Sequence, residues 1–216
     1  MNRSRMEIVR TNLKFRCPTG IHIVGPTMSG KSTLTRHLLN NRNELFIKPF
    51  DRVVYAYGVL QDNFKEIKGN VEFVQGISAM LEDENFFDPN KDNLLVLDDL
   101  MDEIVDNHRA SALFTRGIHH KNVTVIFLYQ NLFKQGKAMR DITLNSQYFL
   151  LFKSPRDVQQ IKYLGRQLGL PHLDCAYKKA IKEPYGFLLV NLHPHCDERL
   201  QLQSNIFGHR RVYRLK

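Results

Sequence analysis

Apolar residues in this chain fall into short continuous runs, separated by stretches where they recur at helical spacing. Gly20-Ile21-His22-Ile23-Val24 reads as a short buried strand, and residues 32–39 read as a helix that follows it at once. Residues 53–57 form a strand by their β-branched and aromatic content. Residues 61–67 suit a short helix and 71–74 a short strand. Leu94-Leu95-Val96-Leu97 is apolar at every position, the pattern of a strand buried on both faces of a parallel sheet. A helix is predicted over residues 101–115. Val123–Tyr129 reads as another central strand, Tyr148–Phe152 as a further strand, residues 158–168 as a helix, and Phe187–Asn191 as the last strand. Alternation of strands with helices predicts an α/β fold, with a mostly parallel central sheet and helices on both faces. The chain divides into an N-terminal extension (1–19), a core domain (20–191) and a basic C-terminal tail (192–216).

Composition narrows the class. With 216 residues, 43% of them hydrophobic, the chain can bury a core of one domain. No apolar run approaches the ~18 residues needed to span a bilayer, and the basic start lacks the apolar segment of a secretory signal. Three scattered cysteines (Cys17, Cys175, Cys196) make no disulfide framework and point to a reducing compartment. Lys and Arg number 31 against 22 Asp and Glu, a formal charge of +9 that favours a polyanionic partner, nucleic acid foremost. A solvated basic surface is the plainer reading of the same numbers.

Between the first strand and the first helix lies Gly25-Pro26-Thr27-Met28-Ser29-Gly30-Lys31-Ser32, which fits the phosphate-binding template G-x-x-x-x-G-K-[ST] at every fixed position. The glycines allow a tight turn that brings successive N–H groups close to a phosphate. Lys31 supplies a mobile charge for the β- and γ-phosphates, and the Ser32 hydroxyl suits Mg²⁺. The helix N-terminus, with Thr33 in its first turn, faces the same place. Residues 25–33 are therefore the expected nucleotide-binding set.

Asp98 and Asp99 close the buried run 94–97. One carboxylate at such a strand end can hold Mg²⁺ opposite Ser32, and an adjacent one can polarise an attacking water. Asp98 is assigned to the metal and Asp99 to general-base work. Asp99 has a second reading, as a cap of the helix beginning near Met101. Gln130 ends the strand before it, where a neutral amide can orient water beside the γ-phosphate, or simply bond a loop. No guanine-reading N-K-x-D run is present, and no arginine-rich lid of a nucleoside kinase is recognisable.

Leu113-Phe114-Thr115-Arg116-Gly117-Ile118-His119-His120-Lys121-Asn122, then Val125 to Phe133 around Gln130, then Leu151-Phe152-Lys153-Ser154-Pro155-Arg156-Asp157 follow the P-loop and acid pair in order. This succession resembles the genome-packaging ATPases of polintons (mavericks), adintoviruses and related large DNA viruses. These belong to the FtsK/HerA branch of P-loop motor ATPases, with the poxvirus-type packaging ATPase. The resemblance covers most of residues 20–170. It implies a RecA-like core using ATP and Mg²⁺, and a homo-oligomeric ring, pentamer or hexamer. It further implies a motor that drives double-stranded DNA into a preformed capsid, with viral capsid proteins as partners, inside an infected cell. Lys31 and Ser32 match the family's P-loop, Asp98 and Asp99 its acid pair, and Gln130 its strand-end glutamine. Asp99 stands where the family more often has Glu, one methylene longer. Ring motors complete each site with a neighbour's arginine. Arg116 is the first candidate, Arg156 and Arg140 the next.

His193-Pro194-His195-Cys196 with Cys175 fits no common zinc spacing. The basic clusters at Lys178, Lys179 and Lys182 and at residues 209–216 are ordinary solvated charge unless one of them grips phosphates. Two rival functions stay open: a nucleotide-gated scaffold that binds DNA or capsid, and a small-molecule kinase.

Overall fold

The structure, a computed structural model, describes residues 5–9, 14–60, 62–105, 107–131, 137–156, 158–208 and 210–214. At the centre of its sheet, β2 (Gly20–Val24) lies between β6 (Val123–Tyr129) and β7 (Tyr148–Phe152), parallel to both. Outward from β6 come β5 (Asn93–Asp98), β3 (Arg52–Tyr57) and β4 (Glu72–Gln75), all parallel. Beyond β7 the direction alternates through β8 (Phe187–Asn191), β9 (Leu202–Ser204), β10 (Arg210–Arg214) and β1 (Arg5–Val9). The ten strands run β1-β10-β9-β8-β7-β2-β6-β5-β3-β4. The parallel half carries the loops of interest, and the antiparallel half widens the sheet.

Side chains alternate across a strand, so each central strand feeds two cores. Ile21, Ile23, Leu94, Val96, Ile126 and Leu128 meet Leu34, Leu38 and Leu39 of α1 (Lys31–Asn40), with α2 (Arg42–Leu45) beside it. Leu95, Leu97, Val125 and Phe127 face the other way. There they meet α3 (Ser78–Glu82), α4 (Met101–Val105), α5 (His108–Ala112), α6 (Ile118–His120), α7 (Lys137–Leu144), α8 (Val158–Gln167) and α9 (Leu173–Ala180). Burial on both faces is why the strand runs carry no polar phase.

Two expectations need correction. The helix predicted over 101–115 is broken. Asn107 takes an extended conformation and its side chain accepts from the N–H groups of Arg109 and Ala110 (3.0 and 3.2 Å), starting a fresh helix. A π-helical turn, Leu113–Gly117, then leads into α6. The basic tail is not a tail: β9 and β10 belong to the sheet, and β1, from the expected N-terminal extension, pairs with β10. Leu202, Val212 and Tyr213 are buried. The arginines that gave the segment its basic look are accommodated: Arg210 is buried and donates to Gln203 Oε1 (3.2 Å), and Arg211 pairs with Glu183 (2.6 Å). His209, Leu215 and Lys216 lie outside the described residues.

Buried His22 on β2 is stacked between Phe127 and Phe149, ring centroids 4.8 and 4.9 Å away, with Nδ1 3.0 Å from the Tyr129 hydroxyl. Burial pushes its pKa down to about 3. The folded value lies below the unfolded one, so its contribution to stability is complete above pH 6.5 and drains away as the pH falls toward 3. The loss approaches about 1.4 kcal/mol per pH unit. Denaturation between pH 7 and 4 is expected to show a steeper loss for the wild type than for His22→Phe. Equal slopes would remove His22 as the cause.

Candidate active site

The parallel strands bring three separate segments to one edge of the sheet. Gly25 follows β2, Asp98 closes β5 and Gln130 follows β6, the strand that lies between them. Val24 is paired with Tyr129, and Asp98 with Leu128. The backbone N–H of Gly25 donates to Tyr129 O (3.3 Å) and that of Asp99 to Leu128 O (3.1 Å). The phosphate loop and the acid pair are thus tied to the two sides of the end of β6, with Gln130 between them and exposed.

The loop at 25–32 is a turn that its residues alone can make. Gly25 has no room for a side chain: a Cβ there would sit 2.6 Å from Phe152 Cβ and 2.8 Å from Ser29 Oγ. Gly30 adopts φ 102°, a left-handed conformation that glycine takes without strain. Ser29 N–H donates to Pro26 O (3.2 Å), and Leu34 N–H to Gly30 O (2.9 Å) opens α1. No side chain caps that helix, so its first-turn amides are offered to the loop side. Thr27, Met28 and Thr33 are exposed, Pro26, Ser29 and Ser32 half-buried. Ser29 Oγ is buried without a partner among the described residues.

Lys31 is half-buried and donates through Nζ to Gly25 O (2.6 Å) and Pro26 O (2.9 Å). Burial lowers its pKa, and the charges of Asp98 and Asp99 oppose that shift. Asp98 is buried and its Oδ2 accepts from the Tyr55 hydroxyl (2.8 Å). Burial first, then the Asp98 charge, push the Tyr55 hydroxyl well above its usual range, so it stays a donor. The Ser32 hydroxyl and the Asp98 carboxylate are hard oxygen ligands of the kind Mg²⁺ takes, and the residues fit that ion. Asp99, exposed, sits at φ 58°, a left-handed position that Asp tolerates better than most residues. It projects from the same edge one residue past Asp98.

The three arginines separate. The backbone of Arg116 lies in the π-helical turn Leu113–Gly117, which leads toward the start of β6, the opposite edge of the sheet from the phosphate loop. Its side chain lies outside the described residues. Arg140 is exposed on α7. Arg156 is exposed in the turn after β7, on the same edge as the phosphate loop. That turn is pinned by the Tyr177 hydroxyl, which donates to Phe152 O (2.8 Å) and accepts from Ser154 N–H (2.9 Å).

Tyr55 was not legible in the sequence as a site residue, because its partner is 43 positions away. Tyr55→Phe removes one oxygen and leaves the ring packed against Phe64. This variant is expected to fold normally and to need several-fold more Mg²⁺ for nucleotide binding, since the Asp98 carboxylate loses the donor that aims it. An unchanged Mg²⁺ titration would reduce Tyr55 to packing. Among the described residues no group of three metal-ligating side chains occurs, at His193–Cys196 or elsewhere. No helix among them is long and apolar enough to cross a membrane.

Solved structures share this architecture at low identity. The genome packaging NTPase B204 from Sulfolobus turreted icosahedral virus 2, in complex with sulfate, matches with a TM-score of 0.53 and 10% identity. The match covers 87% of this chain and 95% of that one. Its complex with ATP-gammaS gives a TM-score of 0.52 at 12% identity, over 87% of this chain and 96% of that one. The cytoplasmic domain of the Thermomonospora curvata type VII secretion ATPase EccC gives 0.52 at 14% identity, over 91% of this chain and 23% of that one. No protein-family model and no curated protein matches the chain. The fold is that of the RecA-like P-loop NTPases, an α/β architecture with helices on both faces of a mostly parallel sheet.

Proposed function

We propose that this chain is an ATP-driven motor that moves double-stranded DNA and packages a viral genome into a preformed capsid, at the site of viral assembly in an infected cell. The observation that carries the reading is the convergence of the phosphate loop, Asp98-Asp99 and Gln130 at the end of three adjacent strands. The architecture shared with a viral genome packaging NTPase over nearly its whole length supports it.

In this reading the loop amides and Lys31 bind the β- and γ-phosphates of ATP. Ser32 and Asp98 would hold Mg²⁺, which when bound neutralises charge on those phosphates. Tyr55 keeps the Asp98 carboxylate oriented. Asp99 accepts a proton from the attacking water as the water oxygen bonds to the γ-phosphorus, and the bond from that phosphorus to the bridging oxygen breaks to leave ADP and inorganic phosphate. Gln130 orients that water. An arginine from a neighbouring subunit completes the site, Arg116 in the first instance. Its position away from its own phosphate loop suits a role in trans, whereas Arg156 shares the loop's edge. The formal charge of +9 supports a duplex DNA partner.

The test is ATP hydrolysis by the full chain with and without duplex DNA over a salt series, with the oligomeric mass measured in parallel. Hydrolysis stimulated by DNA, a stimulation that falls steeply with salt, and a ring-sized mass are expected. Hydrolysis indifferent to DNA would favour a nucleotide-gated scaffold. Transfer of phosphate to a small acceptor by a monomer would make the chain a kinase.

A further inference from the structure

The cavity at the phosphate loop does not stop at the phosphates. It has a volume of about 550 Å³ and extends along α1 from Lys31 and Ser32 to His37 and Phe207. Lys31 and His37 are six positions apart on the helix, about 9 Å of rise. Rings wall the cavity along its length, Phe152 and Tyr185 beside Gly30 and Phe207 beside His37. Phe152 and Phe187, partners across β7 and β8, have centroids 5.3 Å apart. Tyr185 lies over the start of α1, so close that a Cβ added at Gly30 would be 3.2 Å from its Cδ1. Tyr185 is 72% exposed, and its backbone is held in a left-handed conformation, φ 57°. Phe207, in the turn between β9 and β10, stands against His37 with centroids 5.7 Å apart and planes at 67°.

The chemistry of the walls is as informative as their shape. Bases are told apart through their edges by amide, carboxylate and guanidinium groups. Among the described residues no Asp, Glu, Asn, Gln or Arg lines this cavity. Beyond Ser29, Lys31 and Ser32, the polar side-chain groups of the lining are the His37 ring and the hydroxyls of Thr33 and Tyr185, and the aromatic rings offer faces for stacking. Stacking tolerates every base, because each has a π-face.

We propose that this aromatic cavity holds the nucleobase of the bound nucleoside triphosphate by stacking, with Tyr185 and Phe207 as the principal contacts. The site therefore accepts purine and pyrimidine triphosphates with little discrimination. The proposal rests on the phosphate loop binding a triphosphate, and it adds which residues take the other end and what they ignore. It also gives the antiparallel half of the sheet a role, since Tyr185, Phe187 and Phe207 all come from there.

Titration calorimetry of the full chain with ATP, GTP, CTP and inorganic tripolyphosphate, each with Mg²⁺, tests it. In the wild type the three nucleotides are expected to bind within about 5-fold of one another, and tripolyphosphate more weakly. Tyr185→Ala and Phe207→Ala should each weaken all three nucleotides about 10-fold, a typical stacking loss, and leave tripolyphosphate unchanged. Tyr185 is exposed, so its variant keeps the fold even if the Phe207 variant does not. The proposal is overturned if tripolyphosphate binds as tightly as ATP, if the Tyr185 variant binds ATP like the wild type, or if ATP and GTP differ by more than 100-fold. The parent reading fails separately: Lys31→Ala would then leave tripolyphosphate binding intact.

Discussion

Lys31→Ala is expected to reduce ATP hydrolysis to background, a loss of at least about 100-fold in turnover. Lys31 is the cation of the loop at 25–32, half-buried and held by its bonds to the loop carbonyls of Gly25 and Pro26. In a half-buried setting its charge acts on the phosphoryl oxygens with less screening than in water. Alanine removes the charge and also the two bonds from Nζ to Gly25 O and Pro26 O, so loop geometry changes with it. Circular dichroism on the same sample separates local loss from unfolding. α1 is held by Leu34, Leu38 and Leu39 in the core, and the helix content should stay unchanged. A folded variant that hydrolyses ATP at the wild-type rate would remove the phosphate loop from the chemistry.

Asp99→Asn should bind Mg·ATP with near wild-type affinity and hydrolyse it between about 100- and 10,000-fold more slowly. Asparagine is the informative choice for a backbone reason. At φ 58° most side chains introduce strain, whereas Asn occupies the left-handed region readily. The variant therefore removes the charge and proton-accepting power and leaves the turn after β5 in place. Loss of binding without a specific effect on the hydrolytic step would move Asp99 to the metal or to a capping role. An unchanged rate would leave the base to another group.

How far the site was legible follows from the range of each interaction. The stretch at 25–32 is a local motif, running from the end of β2 into the first turn of α1, and sequence spacing captures it. The strand ends at Asp98 and Gln130 were legible because the stretches just before them, Leu94–Leu97 and Val125–Tyr129, are continuous apolar and aromatic runs, which fixes where each strand stops. Their roles in hydrolysis remain proposals. Less was visible wherever a local pattern was interrupted by a single side chain or overridden by tertiary contacts. Asn107, capping α5 with its own side chain, divides what looks like one helix. The arginines of β10 hide a strand, because the charges of Arg210 and Arg211 are answered by Gln203 and Glu183, distant in sequence or on another element.

By itself the sequence determined the α/β class, the glycine-bounded turn between the first strand and the first helix, and the succession of strands that end in acid and amide. Each is a matter of neighbours along the chain, where backbone geometry and burial impose a period. Only the tertiary structure decided that β6 lies between β2 and β5, so that Gln130 stands between phosphate loop and acid pair. It alone paired Tyr55 with Asp98 and folded Tyr185 and Phe207 back against α1. Strand order and ring contacts across 43 or more positions are set by which buried surfaces fit together, and residue spacing along a chain carries no record of that fit.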